Sequence, residues 1–205
     1  MYPTKIPTVF QRLFPKYTFS IPTTEKVLYL TFDDGPIPGV TPWVLEQLAA
    51  YSAKATFFVV GKNVEQNPAI FQRIAKEGHS IGNHTFNHFN GWKTNRQTYL
   101  DDVKKCAEVI DTRLFRPPYG KLKLSQAKYL LKQYRIVIWD ILSGDFDTKI
   151  SSEQCLNNVL RQAKHGSIIV FHDSLKAAKH LQFVLPKVLD FYHQKGFVFR
   201  AIPQA

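Results

Sequence analysis

The sequence predicts an α/β fold, a distorted or incomplete (β/α)7 barrel that forms a single domain. Seven short apolar segments rich in β-branched and aromatic residues alternate with segments of helical pattern. Such alternation is typical of parallel strands whose connecting helices lie outside the sheet. Polar residues also follow the predicted strands directly, which is where barrels carry their chemistry. An open doubly wound sheet is the alternative architecture, and it shares this last property.

The length and composition of the chain fit one packed domain. Its 205 residues, 44% of them hydrophobic, are enough for one core and few for two. Residues 1–25 are rich in proline and aromatic residues, and they predict an N-terminal extended arm with one short helical turn. Residues 26–205 are expected to form the domain itself.

The elements follow in order along the chain. The seven predicted strands are Val27–Phe32, Ala55–Val60, His79–Gly82, Leu114–Arg116, Arg135–Asp140, Ser167–His172 and Phe197–Ala201. The six predicted helices are Pro42–Tyr51, Pro68–Glu77, Arg96–Thr112, Ser125–Gln133, Ser151–Lys164 and Ala177–Lys195. Proline suits the first turn of the helices at Pro42 and Pro68. Glycine suits the helix exits at Gly78, Gly166 and Gly196.

The net charge of the chain is strongly positive but does not decide its function. The formal charge is +11, the basic residues are scattered, and no block of five or more Lys or Arg occurs. No recognisable nucleic-acid-binding motif is present, so we expect no nucleic-acid partner. A solvated basic surface and an anionic partner, such as an anionic glycan, both remain compatible with this charge.

The two cysteines do not indicate a metal site. Cys106 and Cys155 lie in separate predicted helices and form no CxxC pair, so a thiolate zinc site is not indicated. Buried neutral thiols are the default interpretation, and a single disulfide stays open.

The hydrophobic pattern predicts no membrane span, because no apolar run reaches about 18 residues. The first residues lack the apolar segment and cleavage site of a signal peptide. We therefore expect a cytoplasmic protein by default, or a cell-envelope protein if a leader was removed. A monomer is expected.

Two adjacent carboxylates end the first predicted strand. Asp33 and Asp34 lie in the segment Thr31–Pro36, where Gly35 and Pro36 then turn the chain. Because side chains alternate along a strand, the two carboxylates are expected to serve different roles. One could bind a metal ion while the other acts as a base. A turn with a helix-capping Asp is the alternative interpretation.

Two histidines follow the third predicted strand. His84 and His88 are four residues apart, so they share one face of a helical turn and could reach one ion. The pair alone is a weak signal. Together with a carboxylate it forms a two-His, one-carboxylate set that leaves positions open for water and substrate, as hydrolytic metal sites require.

Three further polar positions lie at strand ends. Arg116 begins a loop that Pro117 and Pro118 hold extended, which suits the fixed presentation of an Arg and a backbone N–H. A purely structural Pro-Pro turn is the alternative. His172 ends an apolar strand and could be a core imidazole, but Asp145 follows the preceding strand and could fix its tautomer and raise its pKa.

These motifs, in this order, resemble those of the NodB-like polysaccharide deacetylases, carbohydrate esterase family 4. The resemblance runs from roughly Glu25 to the C-terminus, and TFDDGP, HTFNH and RPPYG match closely. It implies a role for each matching position. The implied roles are metal ligands at Asp34, His84 and His88, general base at Asp33, an Arg paired with that base at Arg116, an oxyanion-stabilising N–H at Tyr119, and a general acid at His172 oriented by Asp145.

The same resemblance implies an apolar pocket for the acetyl methyl group. Its residues would be Pro117, Phe146 and Val170. The chain departs from the family at two of them, because family members usually have Trp at the position of Phe146 and Leu at that of Val170. Both changes keep an apolar wall and make it smaller.

The sequence therefore predicts a metal-dependent hydrolase that removes N-acetyl groups from GlcNAc-containing glycans such as peptidoglycan, a chitin-like oligomer or a surface polysaccharide. Two histidines and one carboxylate favour Zn²⁺, with Co²⁺, Ni²⁺ or Mn²⁺ as alternatives. An O-acetyl esterase acting on acetylated xylan would use the same site. A non-catalytic glycan-binding module is the alternative of a different class.

Overall fold

A computed structural model describes residues 2–204, and its sheet is built from parallel strands. The strands are β1 (Val27–Asp33), β2 (Thr56–Val59), β3 (Ser80–Asn83), β4 (Leu114–Phe115), β5 (Arg135–Ile136), β6 (Ile141–Leu142), β7 (Ile168–His172) and β8 (Val198–Phe199). Their order is β5-β4-β3-β2-β1-β7-β6, and β8 pairs with the start of β1. The strands curl into an incomplete barrel, so the predicted distorted (β/α)7 barrel in a single domain is confirmed.

Eight helices connect or flank these strands in the described residues. They are α1 (Thr8–Leu13), α2 (Thr41–Ala49), α3 (Gly61–Gln66), α4 (Pro68–Lys76), α5 (Arg96–Ala107), α6 (Leu124–Leu130), α7 (Ser152–Leu160) and α8 (Ala178–Gln194). Local sequence explains several starts. Asn95 and Ser151 cap α5 and α7 by accepting hydrogen bonds from backbone N–H groups. The sequence did not predict α3, and α5 ends five residues before the predicted Thr112.

Only the first two residues of the predicted strand Arg135–Asp140 form a strand, β5, and the next strand, β6, begins at Ile141 at the opposite edge of the sheet. β5 pairs with β4 at one edge, and β6 pairs with β7 at the other. The chain therefore crosses the barrel opening between residues 136 and 141. Asp140 fixes this crossing because its carboxylate accepts hydrogen bonds from the hydroxyl of Ser167 and the backbone N–H of Ile168, both at 2.8 Å.

The N-terminal arm fills the gap between these two edges. Thr18 exchanges backbone hydrogen bonds with Ile136 and Ile138 beside β5, at 2.9 and 2.8 Å. Thr4 accepts a backbone hydrogen bond of 2.8 Å from Leu142 of β6. The described part of the arm thus has backbone contacts with both open edges, and α1 lies between these two contacts.

β1 shows how the core positions the site. Every residue of this strand is buried. Leu28, Leu30 and Phe32 belong to the main core cluster, which includes residues of α2 and α8. Side chains alternate along a strand, so Thr31 and Asp33 face the barrel interior. The carboxylate of Asp33 therefore lies inside the barrel at its open end.

Both cysteines are buried and carry free thiols.

No helix within residues 2–204 combines the length and the apolar character needed to cross a bilayer.

Candidate active site

The carboxyl ends of the strands surround a cavity of about 640 Å³. Asp33 ends β1 and His172 ends β7, and the two residues are register partners on adjacent parallel strands. Seven of the eleven predicted site residues line this cavity: Asp33, Asp34, His84, His88, Tyr119, Phe146 and His172. Arg116 and Asp145 are fully buried behind them and contact them directly.

Asp34, His84 and His88 form a cluster that could hold a metal ion. The Nε2 atoms of His88 and His84 lie 3.1 and 3.8 Å from Oδ1 of Asp34, and one ligand atom from each residue lies within 4.8 Å of the others. Donor atoms about 2.1 Å from a shared ion lie roughly 3 to 4 Å apart, so the three residues fit a divalent cation.

The imidazole of His84 is oriented for this role. Its Nδ1 lies 2.8 Å from the backbone carbonyl of Arg116, which requires the proton on Nδ1 and leaves the Nε2 lone pair directed at the cluster. Burial lowers the pKa of His84 to about 4. His84 is therefore a neutral imidazole at neutral pH, which is the form that binds metals.

Three site residues have left-handed backbone conformations although none is glycine. The φ angles are 84° at Asp34, 58° at His88 and 60° at Tyr119. Each such conformation costs about 1–2 kcal/mol for a residue with a Cβ. Backbone strain of this kind concentrates at functional sites, where the surrounding structure holds it in place.

A buried carboxylate of α5 holds the loop that carries the two histidines. Asp102 accepts hydrogen bonds from the backbone N–H of Phe86 at 3.0 Å and of Asn87 at 2.9 Å. Asp102 is not among the residues predicted from the sequence. Its position gave a signal, because it falls on the buried helix face formed by Tyr99, Val103 and Cys106.

Arg116 is a fully buried cation paired with Asp33. Its Nη1 donates to Oδ1 of Asp33 and to the hydroxyl of Thr31, both at 2.7 Å. Its Nε and Nη2 donate to the carbonyls of Val137 and Ile138, at 3.2 and 2.7 Å. These carbonyls belong to the segment that crosses between β5 and β6, so Arg116 fixes both the candidate base and that crossing.

His172 and Asp145 form the second charged pair of the site. Oδ1 of Asp145 lies 2.7 Å from Nδ1 of His172, and Oδ2 accepts a 2.7 Å hydrogen bond from the backbone N–H of the same residue. Burial disfavours a charged His172, but the charge and hydrogen bond of Asp145 outweigh it and raise the pKa to about 9. The imidazole is therefore protonated at neutral pH, with Nε2–H free for the cavity.

Of the three residues predicted to form a pocket for the acetyl group, one lines the cavity. Phe146 lines it and packs edge-on against His172, with ring centroids 5.1 Å apart. Pro117 and Val170 are buried and are not among the described residues that line the cavity. Leu142 and Trp139 contribute apolar lining instead, and the sequence analysis identified neither of them.

Asp173 has a structural role. Its carboxylate accepts hydrogen bonds from the backbone N–H of Gly35 at 3.0 Å and the hydroxyl of Thr41 at 2.6 Å. A Cβ at position 35 would lie 2.0 Å from Oδ2 of Asp173, so only glycine fits there.

The chain is similar to several known proteins. The family model described as polysaccharide deacetylase matches residues 20–137. A peptidoglycan-N-acetylglucosamine deacetylase of Bacillus cereus is 37% identical over 91% of this chain and 70% of its own length. A chitooligosaccharide deacetylase of Azorhizobium caulinodans is 37% identical over 75% of this chain and 76% of its own length.

A solved structure extends the likeness to the whole fold. The crystal structure of a peptidoglycan N-acetylglucosamine deacetylase has a TM-score of 0.88 and 34% identity, covering 97% of this chain and 95% of that one. The chain therefore belongs to the polysaccharide deacetylase family, and the predicted enzyme class, a polysaccharide N-deacetylase, is confirmed.

Proposed function

We propose that this protein is a metal-dependent hydrolase that removes N-acetyl groups from GlcNAc-containing glycans such as peptidoglycan or chitin-like oligomers. The observation that carries the proposal is that one cavity is lined by a candidate metal cluster and by one member of each of two buried charged pairs, Asp33 and His172. The names of the relatives, which refer to peptidoglycan and chitooligosaccharide, support this substrate class.

Asp34, His84 and His88 would hold the cation, and we propose Zn²⁺, with Co²⁺, Ni²⁺ or Mn²⁺ as alternatives. When bound, a divalent cation supplies Lewis acidity, which lowers the pKa of water and polarises an amide carbonyl.

Asp33 is the proposed general base. Arg116 occupies its Oδ1, whereas its Oδ2 lies 4.0 Å from Nε2 of His84, on the side of the metal cluster. We therefore propose that this oxygen takes a proton from the attacking water. The guanidinium of Arg116 fixes the carboxylate, because it is itself held by three other acceptors.

His172 is the proposed general acid. An amine cannot leave as an anion, so the nitrogen must gain a proton as the C–N bond breaks. Asp145 holds Nδ1 of His172, which leaves the Nε2 proton for that nitrogen. We further propose that the backbone N–H of Tyr119 stabilises the oxyanion. Tyr119 lines the cavity, and its ring lies 4.7 Å from that of His88.

The test is Asp33→Asn, measured as acetate release from chitooligosaccharide after chelation and reloading with zinc. We expect turnover to be abolished while zinc affinity stays close to that of the wild type, because Asp33 is not a ligand. Asp101→Asn, a change of the same chemistry on an exposed face of α5, is the matched control. Near-normal acetate release by Asp33→Asn would contradict the assignment. Acetylated xylan, assayed in parallel, separates an N-deacetylase from an O-acetyl esterase.

A further inference from the structure

The N-terminal arm, which precedes the barrel domain in the sequence, contributes residues to the proposed active site. Tyr2, Pro3 and Ile6 line the same cavity as Asp33 and His172. No motif of the barrel domain includes these arm residues.

The backbone of the arm is fixed along β6, the edge strand of the sheet. Lys5 forms an antiparallel bridge with Ile141, and Ile6 donates a backbone hydrogen bond of 2.9 Å to Asp140. Gln162 donates from its side chain to the hydroxyl of Thr4 at 3.0 Å. Tyr2 therefore starts from an anchored backbone and is directed at the cavity.

The Tyr2 side chain has a specific partner at its tip. Its hydroxyl donates a 2.9 Å hydrogen bond to Oδ2 of Asp147. The other oxygen of Asp147 accepts a 3.0 Å hydrogen bond from the backbone N–H of Lys149, so the carboxylate is itself held by its own loop. A Cβ at position 144 would lie 3.1 Å from the Tyr2 hydroxyl, so Gly144 leaves room for this contact.

The Tyr2 ring packs against the aromatic residue that contacts the candidate acid. The ring centroids of Tyr2 and Phe146 are 5.1 Å apart, and those of Phe146 and His172 are also 5.1 Å apart. The rings of Tyr2, Phe146 and His172 thus pack one against the next. Asp147 is hydrogen-bonded to the first ring of this row and Asp145 to the last. Aromatic pairs at such distances contribute specific geometry in addition to buried area.

We propose that Tyr2 is a positioning residue for deacetylation, which holds Phe146 against His172 and so fixes the wall of the cavity beside the leaving amine. This inference rests on the proposed function. It assigns to the arm a part of the active site that the barrel alone does not supply.

The experiment compares Tyr2→Ala, Tyr2→Phe and Phe10→Ala in the zinc-loaded chain of 205 residues. Phe10 is an aromatic residue of the same arm that is not among the residues lining the cavity, which makes it the matched control. Tyr2→Ala is expected to lower kcat for chitooligosaccharide about tenfold with KM within about twofold, since a small misplacement of a catalytic group slows chemistry more than binding. Tyr2→Phe keeps the ring and is expected to retain most of the activity.

A second measurement does not depend on turnover. The NMR resonance of the His172 imidazole Hε1 should shift in Tyr2→Ala and stay in place in Phe10→Ala, because the ring of Phe146 moves only in the former. An unchanged His172 resonance, an unchanged kcat or a loss confined to KM would overturn the inference. A wild-type protein that releases no acetate would instead contradict the proposed function, and the resonance would still test the ring contacts.

Discussion

The pair formed by His172 and Asp145 gives a quantitative prediction about the pH dependence of the enzyme. Asp145 raises the pKa of His172 to about 9, whereas an ordinary histidine has a pKa of 6.5. This difference is equivalent to about 3 kcal/mol in favour of the imidazolium, at 1.36 kcal/mol per pKa unit. The side chain of His172 is 16% exposed, so solvent screens the pair only weakly.

Asp145→Asn removes the negative charge and keeps the shape of the side chain. The pKa of His172 should then fall toward the 6.5 of an ordinary histidine, because burial opposes its charge and Asp145 makes the largest contribution that raises it. At pH 6 the imidazole is still mostly protonated in both proteins. At pH 8 about nine-tenths of it is protonated in the wild type and only about 3% in the variant.

The assay is the pH profile of kcat for acetate release, from pH 6 to 8. Activity that needs a protonated His172 is lost as the pH rises through its pKa, so the ratio of wild-type to variant rates should increase about 20-fold over this range. Asp101→Asn should give a constant ratio. A constant ratio for Asp145→Asn as well would refute the role of His172 as the acid, since the loss would then be independent of its protonation.

Three further changes test the remaining parts of the site. Arg116→Met leaves the buried carboxylate of Asp33 without its cation, so the free energy of unfolding, measured in urea, should fall by about 3–5 kcal/mol. A fall below about 1 kcal/mol would contradict the buried pairing. His88→Ala removes one of the three candidate ligands, so titration calorimetry should show zinc binding weakened at least about tenfold. An unchanged zinc affinity would mean that the metal binds elsewhere. Gly35→Ala forces a Cβ against Asp173, and this overpacking should lower the free energy of unfolding by about 1–3 kcal/mol and the melting temperature with it. An unchanged melting temperature would show that the loop can shift.

The sequence was sufficient to predict the parallel barrel and the residues at its open end. Motifs such as that of Asp33 follow apolar strands directly, and parallel strands bring all their carboxyl ends to one edge. It was not predictable in this way that the strand predicted over Arg135–Asp140 ends at Ile136 and that β6 begins at Ile141 on the other edge. An apolar run looks the same whether it forms one strand or crosses between two edges, and only pairing with β4 and β7 distinguishes them.

The sequence also did not predict that a residue of the arm lines the cavity, and the reason is physical. Tyr2 contacts Asp147 across 145 residues of sequence, and no local pattern marks a lone tyrosine in a proline-rich arm as a cavity residue. Its role depends on where the arm closes the barrel, which is a property of the assembled sheet. Trp139 lies in the segment that crosses between β5 and β6, and Leu142 ends β6, so their exposure to the cavity depends on the same closure.

The two adjacent carboxylates depart from the usual alternation of side chains along a strand. Alternation along a strand would direct Asp33 and Asp34 to opposite faces of the sheet. The strand instead ends at Asp33, and Asp34 adopts a φ of 84°. Both carboxylates consequently approach the same imidazole, since Nε2 of His84 lies 4.0 Å from Asp33 and 3.8 Å from Asp34. Neighbouring residues in an ordinary strand could not both face one ion. The left-handed conformation of Asp34, which costs about 1–2 kcal/mol, therefore brings the candidate base and a candidate ligand side by side.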